Sequence, residues 1–312
     1  MSNPTAFVRV LIMCATFASF SHAQTEPGVS VLYVTQEQGR WHDYPKQLEA
    51  FTALAEGAGW NLTVRNPPRE EMVEWLATPN FAEGFDVVVY NFCLGNDRSN
   101  LDSMVNIAAQ TRNGVPSLFI HGCAHSFWDT FKPKGGKDVQ SLRDLRGEPF
   151  PEKASANREL VAQWNEQHPG EPFPTWVDFL GVGSIRHGKP KPIDVERLCD
   201  HPVTTNTPER WRIEANAELY NNFMVLDTVI PLCRGHQEDE DPAVVAWIHP
   251  QGKSKVLGIT LGHGMKEWQH AYVQQLIVDG VNYLAAHPEN NELDAQAKAA
   301  VEAAAAAATP VE

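Results

Sequence analysis

The chain has 312 residues, 43% of them hydrophobic, enough for one large core or two small ones. Its formal net charge of -14 opposes nucleic acid or an anionic membrane surface as a partner. A small neutral substrate stays compatible with that charge.

Arg9, the apolar stretch over residues 10–20 and Ser21-His22-Ala23 predict a secretory signal over residues 1–23, cut before Gln24. The stretch is too short to span a bilayer as a mature helix. No later stretch is apolar enough to span, so the mature chain is expected to be periplasmic or extracellular, in an oxidising compartment. Beyond the leader lie Cys93, Cys123, Cys199 and Cys233, whose spacing fits no zinc pattern. One disulfide, Cys199–Cys233, and four core thiols both stay open at this level.

Residues 29–35 (VSVLYVT) read as a buried strand. After a polar loop, Leu48, Phe51, Leu54, Ala55 and Ala58 recur at helical spacing, and Gly57 and Gly59 stop the helix. Strands are predicted at 62–64, 85–92 (FDVVVYNF) and 117–122 (SLFIHG), with a helix marked by Leu101, Met104, Val105, Ala108 and Ala109 between the last two. Alternating strands and helices predict a parallel sheet with helices on both faces. Residues 132–174 are polar and read as a surface insertion with one short helix at Leu160, Val161 and Trp164, either a lid or a solvated loop.

Further strands are expected at 225–233, 244–249 and 255–261, the last two joined by a hairpin turn at 250–254. A closing helix carries Val273, Leu276, Ile277, Gly280, Val281 and Leu284 on one face. The one domain is therefore expected to span 24–288. Residues 289–312 form an Ala/Glu-rich tail without large apolar residues, expected to stay unpacked and mobile.

In a doubly wound sheet, ligands bind beyond the carboxyl ends of the strands. Trp41 and His42 fall there after the first strand; His121, Cys123, His125 and Trp128 after the fourth; His263 and Trp268 after the last. Imidazoles titrate near neutral pH and serve as general acids or bases. Neutral imidazoles with a carboxylate also suit a divalent metal, although no pair has the helical H-x-x-x-H spacing. Trp41, Tyr44, Phe127, Trp128, Tyr220 and Trp268 flank the same region, and flat rings suit the apolar faces of sugars. His168, His249, His270 and His287 read as surface residues.

The order of FDVVVYN, LFIHGCAHSFW, FLGVGSIRHGKP, CDHPVTTNTP, AELYNNF and VAWIHPQGKSKVLGITLGHGMKEW resembles the trehalose-utilisation (ThuA-like) family, a branch of the class I glutamine amidotransferase-like superfamily. The resemblance covers residues 29–287 apart from the insertion. It implies a flavodoxin-like three-layer α/β sandwich with a mostly parallel central sheet. It also implies a role in carbohydrate metabolism, and the family's recurrent polar residues fall on His42, His121, His187, His201, Glu218, Tyr220 and His263. Amidotransferases place a nucleophilic cysteine on the turn after a central strand. Here His121 leaves the strand, and Cys123 sits past the elbow.

The expectation is an exported enzyme acting on a glycoside or keto-sugar, with His121, Glu218 and His187 catalytic. Trp41, His42, His125, Trp128, His201, Tyr220 and His263 would bind substrate, and a divalent metal and a homo-oligomer are both compatible with it. A non-catalytic sugar-binding module and a Cys123-dependent hydrolase are the alternatives.

Overall fold

The computed structural model describes residues 28–95, 101–132, 138–147 and 150–308, so the predicted leader lies outside the described residues. Strands in chain order are β1 (Ser30–Thr35), β2 (Asn61–Arg65), β3 (Val87–Asn91), β4 (Ser117–Ile120), β5 (Val139–Ser141), β6 (Ser155–Asn157), β7 (Val182–Gly183), β8 (Lys191–Arg197), β9 (Arg210–Ala217), β10 (Met224–Val225), β11 (Ile230–His236), β12 (Ala243–Gln251) and β13 (Ser254–Ile259). The helices are α1 (Tyr44–Ala58), α2 (Arg69–Leu76), α3 (Leu101–Arg112), α4 (Leu142–Arg146), α5 (Arg158–Gln167), α6 (Trp176–Leu180), α7 (Met265–Trp268), α8 (Ala271–Ala286) and α9 (Glu292–Ala308).

Among the described residues, nine strands form one sheet in the order β2-β1-β3-β4-β13-β12-β11-β8-β9. The first five run parallel, and from β12 onward each strand is antiparallel to its neighbour. Side chains alternate across the sheet with the strand period of two. Val31 and Tyr33 enter one buried layer with Phe51 of α1 and Leu276 of α8. Leu32 and Val34 enter the other with Met72 of α2 and Met104 of α3. The helices on both faces of the sheet match the residue pattern, and the whole is the three-layer α/β sandwich that the resemblance implied.

The antiparallel wing is larger than the predicted hairpin. Strands β8 and β9 escaped the sequence reading because each is wet on one face. Ile193, Val195, Trp211 and Ile213 are buried, whereas Asp194, Arg210, Arg212 and Glu214 are exposed. The strand expected at 225–233 lies mostly later, at Ile230–His236, with a two-residue piece at Met224–Val225.

The described residues of the segment 132–174 do not form a solvated loop. Its Leu142, Phe150, Ala156, Leu160, Val161, Trp164 and Phe173 are buried in the same cluster as Leu32 and Phe119. Its apolar residues are sparse, but they converge on one face of the sheet. The C-terminal segment differs from expectation too. Residues 292–308 form α9, with Ala297 buried and Val301 packed on the core. Alanine favours helix, and a buried ion pair between Lys255 of β13 and Asp294 anchors it. No helix among the described residues is long and apolar enough to cross a membrane.

Candidate functional site

Because β13 pairs with β4, β4 with β3 and β3 with β1, all parallel, the carboxyl ends of these strands share one edge. The chain leaving that edge delivers His42 after β1, His121 directly after β4 and His263 after β13. Their ring centroids are 5.0 Å apart for His42–His121, 5.1 Å for His42–His263 and 5.3 Å for His121–His263. Glu218 arrives from the far side of the sheet, immediately after β9. There the chain turns back along the segment after α6: Tyr220 bridges to His187, and β10 pairs with β7. Glu218 Oε2 lies 3.2 Å from His263 Nδ1 and 3.6 Å from His121 Nε2, and Oε1 lies 3.5 Å from His187 Nε2.

The local backbone is built for this meeting. His121 has φ 39°, a left-handed conformation that costs a non-glycine residue about 1–3 kcal/mol and turns the chain sharply off the strand. Gly122 follows, where a Cβ would sit 3.1 Å from Phe92 O and 3.2 Å from His42 Nε2, so a bare backbone admits the imidazole. The His263 loop is held from three sides. Gln47 Nε2 donates to His263 O at 3.1 Å, Trp268 Nε1 donates to Gly262 O at 2.8 Å, and Gly264 N donates to Glu267 Oε2 at 3.1 Å.

Burial, followed by the charges of His121 and His263, pushes His42 down to about 3. His263 is lowered first by burial and then by His121. Burial would raise the Glu218 carboxyl, but the neighbouring His121, with His263 and His187, holds it below its ordinary value. At neutral pH the site therefore combines an ionised carboxylate with a neutral His42. His42 Nδ1, His121 Nε2 and His263 Nδ1 are buried without a hydrogen-bond partner. Buried polar atoms are nearly always paired in folded proteins, so three adjacent exceptions mark a place meant for something else.

A sequence profile of the trehalose utilisation family, ThuA, matches residues 30–284. The chain belongs to the ThuA family. Among the solved structures that share its fold are two ThuA-like proteins. A ThuA-like protein of Bacteroides uniformis ATCC 8492 is 15% identical with a TM-score of 0.55, the match covering 90% of this chain and 98% of that one. One from Parabacteroides merdae ATCC 43184 is 14% identical with a TM-score of 0.55, covering 85% and 92%. At such identities the likeness is one of fold. No curated protein matches the chain in sequence.

Within this ThuA fold, the residues expected at the site separate into groups. His42, His121, His187, Glu218 and His263 meet. Tyr220 and His125 are close but turned inward: both are buried, their rings stack at 3.7 Å, and His125 Nε2 is hydrogen-bonded to Ser184 Oγ at 2.9 Å. They order the imidazoles from behind. Trp41 is 66% exposed at the rim, with the Arg40 guanidinium over its ring. Trp128 is half-buried and packs on His125. Tyr44, Phe127 and Trp268 are buried, which leaves Trp41 and Trp128 as the accessible rings of the predicted aromatic set.

His201 does not join the site. It lies at the amino end of β13, where its Nε2 donates to Asp294 at 3.3 Å and its Nδ1 accepts from Val203 N at 3.2 Å. His249, expected on the surface, is buried in β12 with Nε2 donating to Asp178 O at 3.2 Å. The four described cysteines are free thiols. Cys123 is buried, Sγ donating to Tyr90 O and accepting from Phe92 N, both at 3.3 Å, and burial pushes its thiol well up. That favours a structural thiol over a nucleophile.

Gln47 and Glu267 went unrecognised in the sequence as site residues. Gln47 lay inside a helix read only for its apolar face. Glu267, in the first turn of α7, is buried beside His121, and burial raises its carboxyl despite that charge. A glutamate closely following Gly264 in GHGMKEW was the available signal.

A shallow recess of about 260 Å³, lined by Gln36, Arg40, Trp41, His42, Tyr44 and Arg69, opens beside His42. Another recess, on the antiparallel wing, is lined by charges that neutralise one another, with Arg210–Glu196 at 3.0 Å and Arg212–Asp194 at 2.6 Å.

Proposed function

We propose that this chain is an exported enzyme of carbohydrate metabolism that acts on a glycoside or keto-sugar by acid–base chemistry at the carboxyl edge of its sheet. The observation that carries the reading is the Glu218 carboxylate, set within 3.2–3.6 Å of three imidazoles that the fold collects from remote parts of the chain. Such a pairing can take a proton from a sugar hydroxyl or carbon and return it to a leaving oxygen. His121 and Glu218 share the transfer, and the more exposed His187 assists at the open side. Trp41 offers a flat ring to the apolar face of a sugar, and the recess beside it has room for a small polar ligand. The family's trehalose-utilisation description agrees with that substrate class. Export rests on the sequence pattern of residues 1–23.

The test is turnover of keto-glycosides and plain disaccharides by purified protein. Wild type is expected to convert a keto-glycoside, and His121→Ala to lose about 10²–10⁴-fold in kcat/KM. Equal turnover by the two removes the catalytic assignment. Tight sugar binding without product would instead select a binding module.

A further inference from the structure

The unpaired nitrogens of the site pose a problem of lone pairs. His121 Nδ1 lies 2.6 Å from Thr260 O. A carbonyl only accepts, so Nδ1 carries the proton, and in the neutral ring Nε2 presents a lone pair. That lone pair faces Glu218 Oε2 at 3.6 Å. His187 repeats the arrangement, with Nδ1 2.7 Å from Gly188 O and Nε2 3.5 Å from Glu218 Oε1. In both residues a backbone carbonyl fixes the outer N–H, and the inner nitrogen is turned on one carboxylate. Two acceptors facing each other repel unless a positive centre lies between them. A proton can serve one such face at a time, whereas a metal ion between them serves several at once.

The rest of the constellation answers to the same solution. His42, His121 and His263 each offer a ligand nitrogen, and those atoms all lie within 4.8 Å of one another. The ligand atoms of a tetrahedral ion with bonds of about 2.0–2.1 Å stand roughly 3.4 Å apart, so the rings need to close by at most about 1.4 Å. The Glu218 Oε2 distances of 3.2 Å to His263 Nδ1 and 3.6 Å to His121 Nε2 already bracket that separation. Gly122 keeps the approach of His42 open, and Gln47 and Glu267 brace the His263 loop. Outer N–H groups donated to backbone carbonyls are the support that metal-ligating histidines ordinarily have.

We propose that His42, His121, His263 and Glu218 form a binding site for one divalent transition-metal ion, with His187 beside it on the solvent side. Three imidazoles and one carboxylate favour zinc, manganese, iron, cobalt or nickel over magnesium or calcium, which take oxygen ligands. The inference rests on the reading of this cluster as the functional site, but not on sugar being the substrate. An ion here would take up the lone pairs of His121 and Glu218, leave proton transfer in that state to His187, and lower the pKa of a bound hydroxyl.

The test is metal binding by the full chain, stripped with chelator and titrated separately with Zn(II) and Co(II). Calorimetry is expected to show one ion bound per chain, with a rise in Tm. Co(II) is expected to give visible absorption of a nitrogen–oxygen site. Glu218→Gln and His263→Gln, which nearly preserve volume, are expected to weaken binding at least about 10-fold. His236→Gln, on the antiparallel wing, is expected to leave it unchanged. No stoichiometric binding by wild type overturns the proposal. So does binding that the Glu218→Gln and His263→Gln variants retain in full while their thermal unfolding shows them folded. Undiminished sugar turnover by metal-free protein would remove the ion's role and leave the acid–base reading intact. Stoichiometric binding without any sugar turnover would do the reverse.

Discussion

Strand β13 carries a histidine–carboxylate cluster at each end, and the two are built in opposite ways. At its amino end, Asp294 is engaged by Lys255, by Tyr283 Oη at 2.7 Å and by His201 Nε2 at 3.3 Å, and the second nitrogen of His201 accepts from Val203 N. None of the polar side-chain atoms of these four residues is buried without a partner. At the carboxyl end, His42, His121 and His263 crowd around Glu218 with three ring nitrogens unpaired. A saturated buried network fastens parts of a fold together, here α9 to the sheet, while an unsaturated one is unfinished without a ligand. The same residue types thus have structural use at one end and chemical use at the other.

The sharpest way to break this contrast is to remove the centre of the saturated cluster. Asp294→Ala leaves the ammonium of Lys255 buried and unpaired. It is expected to reduce unfolding free energy by about 3–5 kcal/mol in urea titrations, with sugar turnover of the surviving folded protein unchanged. A loss of less than about 1 kcal/mol would mean that the anchor is not one.

Acid offers a second, slightly smaller test. Burial lowers His249 from its ordinary 6.5 to about 4. The unfolded chain takes up that proton more readily than the folded one, so the stability it confers is complete above about pH 6.5 and fades as pH falls toward 4. The expected loss across that window is about 3 kcal/mol, and His249→Gln should remove this share of the slope. An unchanged pH profile in the variant would contradict the buried, neutral ring.

The smallest effect belongs to the rim. Trp41→Ala is expected to raise KM for a sugar substrate several-fold, equivalent to roughly 1 kcal/mol, with kcat nearly unchanged. Stability should stay within about 0.5 kcal/mol, because the ring is exposed. A larger fall in kcat than rise in KM would place Trp41 in the chemistry instead of at the mouth.

Much of this contrast could be read from the residues. Four of the five parallel strands, β1, β3, β4 and β13, and α8 announce themselves through β-branched runs and a sustained helical period, because they are buried and regular. His42, His121 and His263 were legible because strand ends are fixed by the fold. Glu218 and His187 came from resemblance, since no local pattern shows that β9 hands the chain back across the sheet. His201 was misplaced for a related reason: a histidine beside proline says nothing of which end of a strand it will reach. Strands β8 and β9, the packing of residues 138–147 and 150–174, and α9 are not legible where apolar residues are few and where partners remote in sequence make them stable.

The most direct test of the unfinished cluster is a paired measurement on Glu218→Gln, which removes the charge and keeps the shape. Unfolding free energy is expected to hold within about 1 kcal/mol of wild type while turnover of a keto-glycoside falls at least about 100-fold. Wild-type turnover together with a marked loss of stability would show that Glu218 is one more structural carboxylate, and that the carboxyl edge is not the site.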